Sequence, residues 1–176
     1  MKIISIDAST KSSGIACFEN KKLLKYECLT ASSENLFNRI EIMVKKINDF
    51  LEKEENIEYI IMEEVIPEST GSDQRIKMNK SIKTYKALMY LQGEIAKLVN
   101  NKYPKTKLEF IYPSEWRSQC GIKQSKGIKR DVLKANDIAY VYNNFGIKVN
   151  DDIADSICIG LGWLYKKDEG TNEMMF

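Results

Sequence analysis

The spacing of hydrophobic positions changes period along the chain. Residues 2–7 form a short β-type run that ends in an acid, and 8–13 are small and polar, which predicts a tight turn. Residues 14–18 and 23–29 continue as strands, with 19–22 as the hairpin turn. Three strands in succession predict an antiparallel meander. The period then becomes helical: Leu36, Ile40, Val44, Ile47 and Leu51 share one face of a helix over 35–51, with Ser32 or Ser33 as its cap. Tyr59-Ile60-Ile61-Met62 makes 58–65 a buried strand, again ending in acids. After a polar loop at 67–75, Ile82, Tyr85, Leu88, Leu91, Ile95 and Leu98 line one face of a long helix over 76–100. Residues 108–112 are a fifth strand, which Pro113 stops. Two more helices follow at 126–142 and 150–166, the second capped by Asn150 or Asp151, and 168–176 reads as a frayed, flexible tail.

The resulting order, β-β-β-α-β-α-β-α-α, predicts an α/β domain. Its sheet is mixed and five-stranded, a three-stranded antiparallel meander plus two parallel strands, flanked by helices. A chain of 176 residues fits one such domain, placed at 1–167.

Composition narrows the chemistry. There is no histidine, which excludes histidine-based nucleophile systems, HExxH metal sites and histidine general bases. Cys17, Cys28, Cys120 and Cys158 form no C-x-x-C pair and read as small residues of a reducing compartment. No apolar run is long enough to span a membrane, and no basic–apolar–small leader opens the chain, so a cytoplasmic protein is expected. The net charge of +2 supplies no strong global field, and any affinity for nucleic acid must come from local basic patches.

Acids punctuate the elements in a pattern that suggests a site. Asp7 closes the first strand, Glu63 and Glu64 close the fourth, and Asp151, Asp152 and Asp155 open the last helix. Functional groups gather where strands of an α/β sheet end. Asp152 and Asp155, three apart, share a helix face. Of Glu63 and Glu64, one must point inward, and a lone buried carboxylate is costly. Taken singly, an acid at a strand end faces water and an Asp pair at a helix start is a cap. Together they predict a cluster whose mutual repulsion is relieved by Mg²⁺ or Mn²⁺, the cations that hard oxygen ligands select. Two such ions can activate a water and stabilise the leaving oxygen in phosphodiester hydrolysis.

Three blocks carry a family resemblance. Residues 4–14, Ile-Ser-Ile-Asp-Ala-Ser-Thr-Lys-Ser-Ser-Gly, the strand Ile-Met-Glu-Glu-Val at 61–65, and Asp-Ile-Ala-Asp-Ser at 152–156 resemble, in order and spacing, the RuvC family of crossover junction endodeoxyribonucleases, particularly its smaller phage-encoded members. The resemblance runs from about Ile3 to Leu164. It implies a ribonuclease H-like fold and a Holliday junction resolvase that nicks four-way DNA symmetrically with Mg²⁺ or Mn²⁺, two ions per site. It implies Asp7, Glu63, Asp152 and Asp155 as metal ligands, with Glu64 and Asp151 as the alternatives beside them. It implies a lysine on the preceding helix that contacts phosphate, best matched by Lys129. The chain departs from the pattern where Ala8 and Ser9 replace Pro-Gly, and where Ile66 replaces an aromatic that wedges into the junction. Pro-Ser-Glu-Trp-Arg at 113–117 resembles a loop of the phage relatives, in which Trp116 either stacks on a base or lies against the sheet.

Two basic stretches flank the acids: Arg75, Lys77, Lys80, Lys83 and Lys86, and Lys123, Lys126, Lys129, Arg130 and Lys134. Either also fits a solvated helix face. With a nuclease site between them they predict DNA contacts, chiefly from Lys123, Lys126, Lys129 and Arg130, with Lys80, Lys83 and Trp116. Paired cuts in a nearly two-fold-symmetric junction imply a homodimer. No nucleotide cofactor is expected, because an actin-like ATP-binding kinase needs two such domains. The acids alone do not separate a junction resolvase from a nuclease for other branched DNA or RNA–DNA hybrids, or from a junction-binding protein that does not cleave.

Overall fold

The computed structural model describes residues 1–66, 74–125 and 127–173, and of 74–81 and 170–173 the backbone alone. Strands β1 (Lys2–Asp7), β2 (Ser12–Glu19) and β3 (Lys22–Thr30) form the expected meander. Its second turn is two residues long, with Asn20 and Lys21 at φ 47° and 67°, the left-handed pair that matches the twist of a tight hairpin. Helix α1 (Leu36–Leu51) follows, capped by the Asn35 side chain rather than by Ser32 or Ser33. Strand β4 (Tyr59–Glu63) then pairs in parallel with β1, and β5 (Lys107–Ile111) in parallel with β4. The sheet order is β3-β2-β1-β4-β5, the mixed five-stranded arrangement the pattern predicted. The long helix α2 (Gln74–Lys102) separates β4 from β5.

Beyond β5 the structure departs from the sequence reading. Pro113 ends the strand but also opens a helix, α3 (Pro113–Gln119), because a proline at the first helical position loses no hydrogen bond there. Helix α4 (Arg130–Phe145) starts four residues later than expected, with Lys129 as its N-cap and Gly146 closing it at φ 68°. The last helix, α5 (Asp151–Glu173), runs past residue 166 and into the segment read as frayed, as far as Glu173. Asn150 is its cap, accepting from the Ile153 N–H at 3.0 Å. Lys126 and the side chain of Lys80 lie outside the described residues, as does most of the loop expected at 67–75.

The pleat sorts the central strands onto two cores. Ile4, Ile6, Ile60 and Met62 pack with Ile40, Met43 and Ile47 of α1 and Leu91, Ile95 and Val99 of α2. On the other face Ile3 and Ile61 pack with Trp116 of α3, Val141 of α4 and Ala154, Ile157 and Cys158 of α5. Asp7 follows Ile3 and Ser5 on this second face, and Glu63 follows Ile61. Alternation therefore selects Glu63 over Glu64 for the side where α5 lies.

Candidate active site

Asp7 and Glu63 stand side by side because β1 and β4 are parallel and in register up to the Ile6–Met62 pair. Helix α5 crosses the same end of the sheet. It is pinned there by the buried Ser5 hydroxyl, which donates to the Ser156 carbonyl at 2.7 Å, and by a close backbone approach at Gly14. A Cβ on residue 14 would lie 1.8 Å from the Asp152 carbonyl oxygen, so only glycine fits. These contacts bring Asp152 and Asp155 to the acids of the sheet. All four line one cleft of about 850 Å³.

Each acid has a distinct environment. Glu63 accepts from the indole N–H of Trp116 at 2.8 Å, and the Gln92 side chain donates to the Glu63 backbone carbonyl at 2.7 Å. Asp152 accepts from the Ser12 hydroxyl. Asp151 pairs with Lys134 at the cleft's edge, which holds its carboxyl below the usual range. Asp137 lies close enough to raise the Asp155 carboxyl, and Asp155 Oδ1 is buried without a hydrogen-bond partner. Asp137 is fully buried and takes a two-pronged contact from Arg117, with N–O distances of 2.9 to 3.3 Å.

Burial and crowding raise the acids. Desolvation, then the charges of Glu63 and Asp152, push Asp7 up to about 8 against the partial relief of Lys134. Desolvation, then Asp7 and Asp137, push Asp155 up to about 9 while Arg117 opposes. Glu63 is raised chiefly by burial, with Trp116 and Arg117 opposing. A carboxyl raised on folding keeps its proton in the native state while the unfolded chain has lost it, so stability falls as pH rises through that window. Without divalent metal, Asp7 and Asp155 should lower the melting temperature progressively from about pH 5 to about pH 8. Thermal melts in chelator across that range check this; a flat profile contradicts it. The acids lowered on folding, Asp151, Glu52 and Glu54, act below that range.

The donor chemistry suits a hard divalent cation. Five carboxylates line the cleft, Glu64 beside the other four; burial and then mutual repulsion raise Asp7 and Asp155, and one buried oxygen of Asp155 has no hydrogen-bond partner. Among the described residues, no three acids or thiols stand close enough together to enclose an ion. Ser12, Trp116 and Lys134 instead hold Asp152, Glu63 and Asp151 individually.

One expected contact is corrected. Trp116 is fully buried and bonded to Glu63, so it has no face to offer a base. Lys129 is exposed and does not line the cleft; Arg117, Arg130 and Lys134 do. Lys83 and Lys123 are exposed away from the lining. The Arg117–Asp137 pair escaped the sequence reading because both residues lie in polar runs. The one signal was Asp137 at helical spacing from the buried Val141.

Neither the family models nor the curated proteins contain a match to this sequence. Solved structures do match. Thermus thermophilus RuvC in complex with a Holliday junction substrate superposes with a TM-score of 0.62 over 97% of both chains, at 15% identity. The chain has the RuvC fold. A second structure of Thermus thermophilus RuvC gives a TM-score of 0.60 at 16% identity, covering 97% of this chain and 98% of that one. The yeast mitochondrial Holliday junction resolvase Ydc2 gives 0.56 at 17% identity, covering 93% of this chain and 77% of its own.

Proposed function

We propose that the protein is a metal-dependent endonuclease that resolves four-way DNA junctions by paired nicks. One observation carries the reading: Asp7, Glu63, Asp152 and Asp155, from three elements far apart in sequence, line one cleft. The junction-bound RuvC and the mitochondrial resolvase of the same fold support it. Asp7, Glu63, Asp152 and Asp155 would hold Mg²⁺, with Mn²⁺ able to substitute. The metal supplies an activated water and a counter-charge for the leaving oxygen.

The chain's own groups do the rest. Arg130 and Lys134 line the cleft beside the acids and suit a phosphodiester. The contact of Lys134 with Asp151 is partly exposed, so a phosphate oxygen can replace it. Val65, Ile66, Tyr85, Leu88 and Pro113 form the apolar part of the lining and displace water from one side. Exposed Phe37, Met89 and Tyr90 on α1 and α2, with the Phe37 and Tyr90 rings 5.8 Å apart, support a homodimer that would present two cleavage sites.

The test is a synthetic mobile four-way junction incubated with the protein in Mg²⁺, Mn²⁺ or chelator. Symmetric nicks with either metal and none with chelator are expected. A second reading, a nuclease of broader branched-DNA or RNA–DNA hybrid preference, is favoured by Ile66: half-exposed on the cleft, it cannot stack on a base as an aromatic would. A hybrid duplex or flap cut as fast as the junction would select that reading. Junction binding without any cutting would reject both.

A further inference from the structure

Trp116 is the feature of the cleft that the reading above does not use. It comes from α3, it is fully buried in the core beneath α5, and its Nε1–H points at Glu63 Oε2 from 2.8 Å. We propose that Trp116 is a positioning residue: its indole N–H fixes the rotamer of the Glu63 carboxylate, one oxygen held and the other left for the metal. The inference rests on the metal-site reading and deepens it.

Two observations support a fixed indole, and a third a fixed Glu63 main chain. Helix α3 packs against α5 at Gly162, where a Cβ would lie 2.6 Å from both Cα and Cβ of Trp116, so the tryptophan backbone cannot slide. The Arg117 guanidinium sits 4.0 Å from the centre of the Trp116 ring and is itself held by buried Asp137. The Glu63 backbone is fixed separately by Gln92. Main chain and carboxylate are thus anchored from two different helices, whereas Asp152 takes its partner from the Ser12 hydroxyl of the meander. A buried indole must find some acceptor, and that alone would explain the bond. The chain contains its own control for this simpler account. Trp163 donates to Glu109 Oε2 at the same 2.8 Å, and Glu109 lies outside the cleft.

Outer partners of metal-bound carboxylates typically change metal affinity or activity by about 10- to 100-fold. Trp116→Phe removes the N–H and keeps an aromatic in the core. It should weaken Mg²⁺ binding in calorimetry by about tenfold, leave metal-free junction binding unchanged, and approach the parent cleavage rate at saturating Mg²⁺. Trp163→Phe should leave Mg²⁺ affinity unchanged. If Trp116→Phe does not fold, the wild-type protein answers by itself. On Mg²⁺ titration its Trp116 indole ¹H–¹⁵N resonance should shift and that of Trp163 should stay.

Mg²⁺ binding and cleavage with both indole resonances static, or with parent affinity in Trp116→Phe, would overturn the positioning role and spare the nuclease reading. No response of any resonance to Mg²⁺, with no cleavage, would remove the nuclease reading and this proposal together.

Discussion

Asp7→Asn is expected to lower junction cleavage by at least about a hundredfold, the upper end of the about 10- to 100-fold that losing an outer partner of a metal ligand costs, while junction binding stays within a few-fold of the parent. Asp7 sits at the meeting point of Glu63 and Asp152, whose charges raise it. An amide there keeps the shape but gives a cation one weaker oxygen and no negative charge. The phosphate contacts proposed for Arg130 and Lys134 would be untouched, so binding should survive. The same change removes a group whose folding free energy worsens as pH rises, so metal-free Asp7→Asn should melt at or above the parent temperature near pH 8. A loss of activity with a loss of folding would mark Asp7 as structural. Equal cutting by variant and parent would reject the site.

The largest stability effect is expected at Asp137, which lies outside the proposed ligand set. Asp137→Ala leaves the Arg117 guanidinium, itself mostly buried, without its two-pronged partner. Removing one member of a buried ion pair costs about 3–5 kcal/mol. In a chain of this size that lowers the melting temperature by about 10 °C. The comparison that isolates the cause is the double variant Arg117→Met with Asp137→Leu, which leaves no unpaired charge and should recover much of the loss. Calorimetric melts of the two variants decide it: a fall below about 1 kcal/mol for Asp137→Ala would mean water reaches the pair and screens it.

The fold was largely legible because its central strands alternate cleanly and its first two helices repeat at helical spacing. Asp7, Glu63, Asp152 and Asp155 were legible for a related reason. Each sits at the end of an element, and pleat parity alone separates Glu63 from Glu64 once Ile61 is known to face α5. What was not legible depends on partners distant in sequence. Nothing local shows that Trp116 will bury itself against Glu63, 53 positions away. Pro113 was read as a stop because proline ends strands, and its equal aptitude for starting helices was missed. That error hid α3 and left Trp116 on a loop. The lysine that lines the cleft, Lys134, sits one turn into α4, while Lys129, matched by resemblance, stands at the helix's N-cap outside the lining.

The close approach at Gly14 bears on how the scaffold could be re-engineered. Main chain meets main chain there, and the Ser5–Ser156 bond repeats the anchoring deeper in the core. The gap between the sheet's acids and the helix's acids is thus gauged by peptide units, independent of the carboxylates that span it. Exchanging those carboxylates for imidazole or thiolate donors would leave the gauge intact. On the proposed metal-site reading, such exchanges would retune the framework toward softer metals without redesigning its frame.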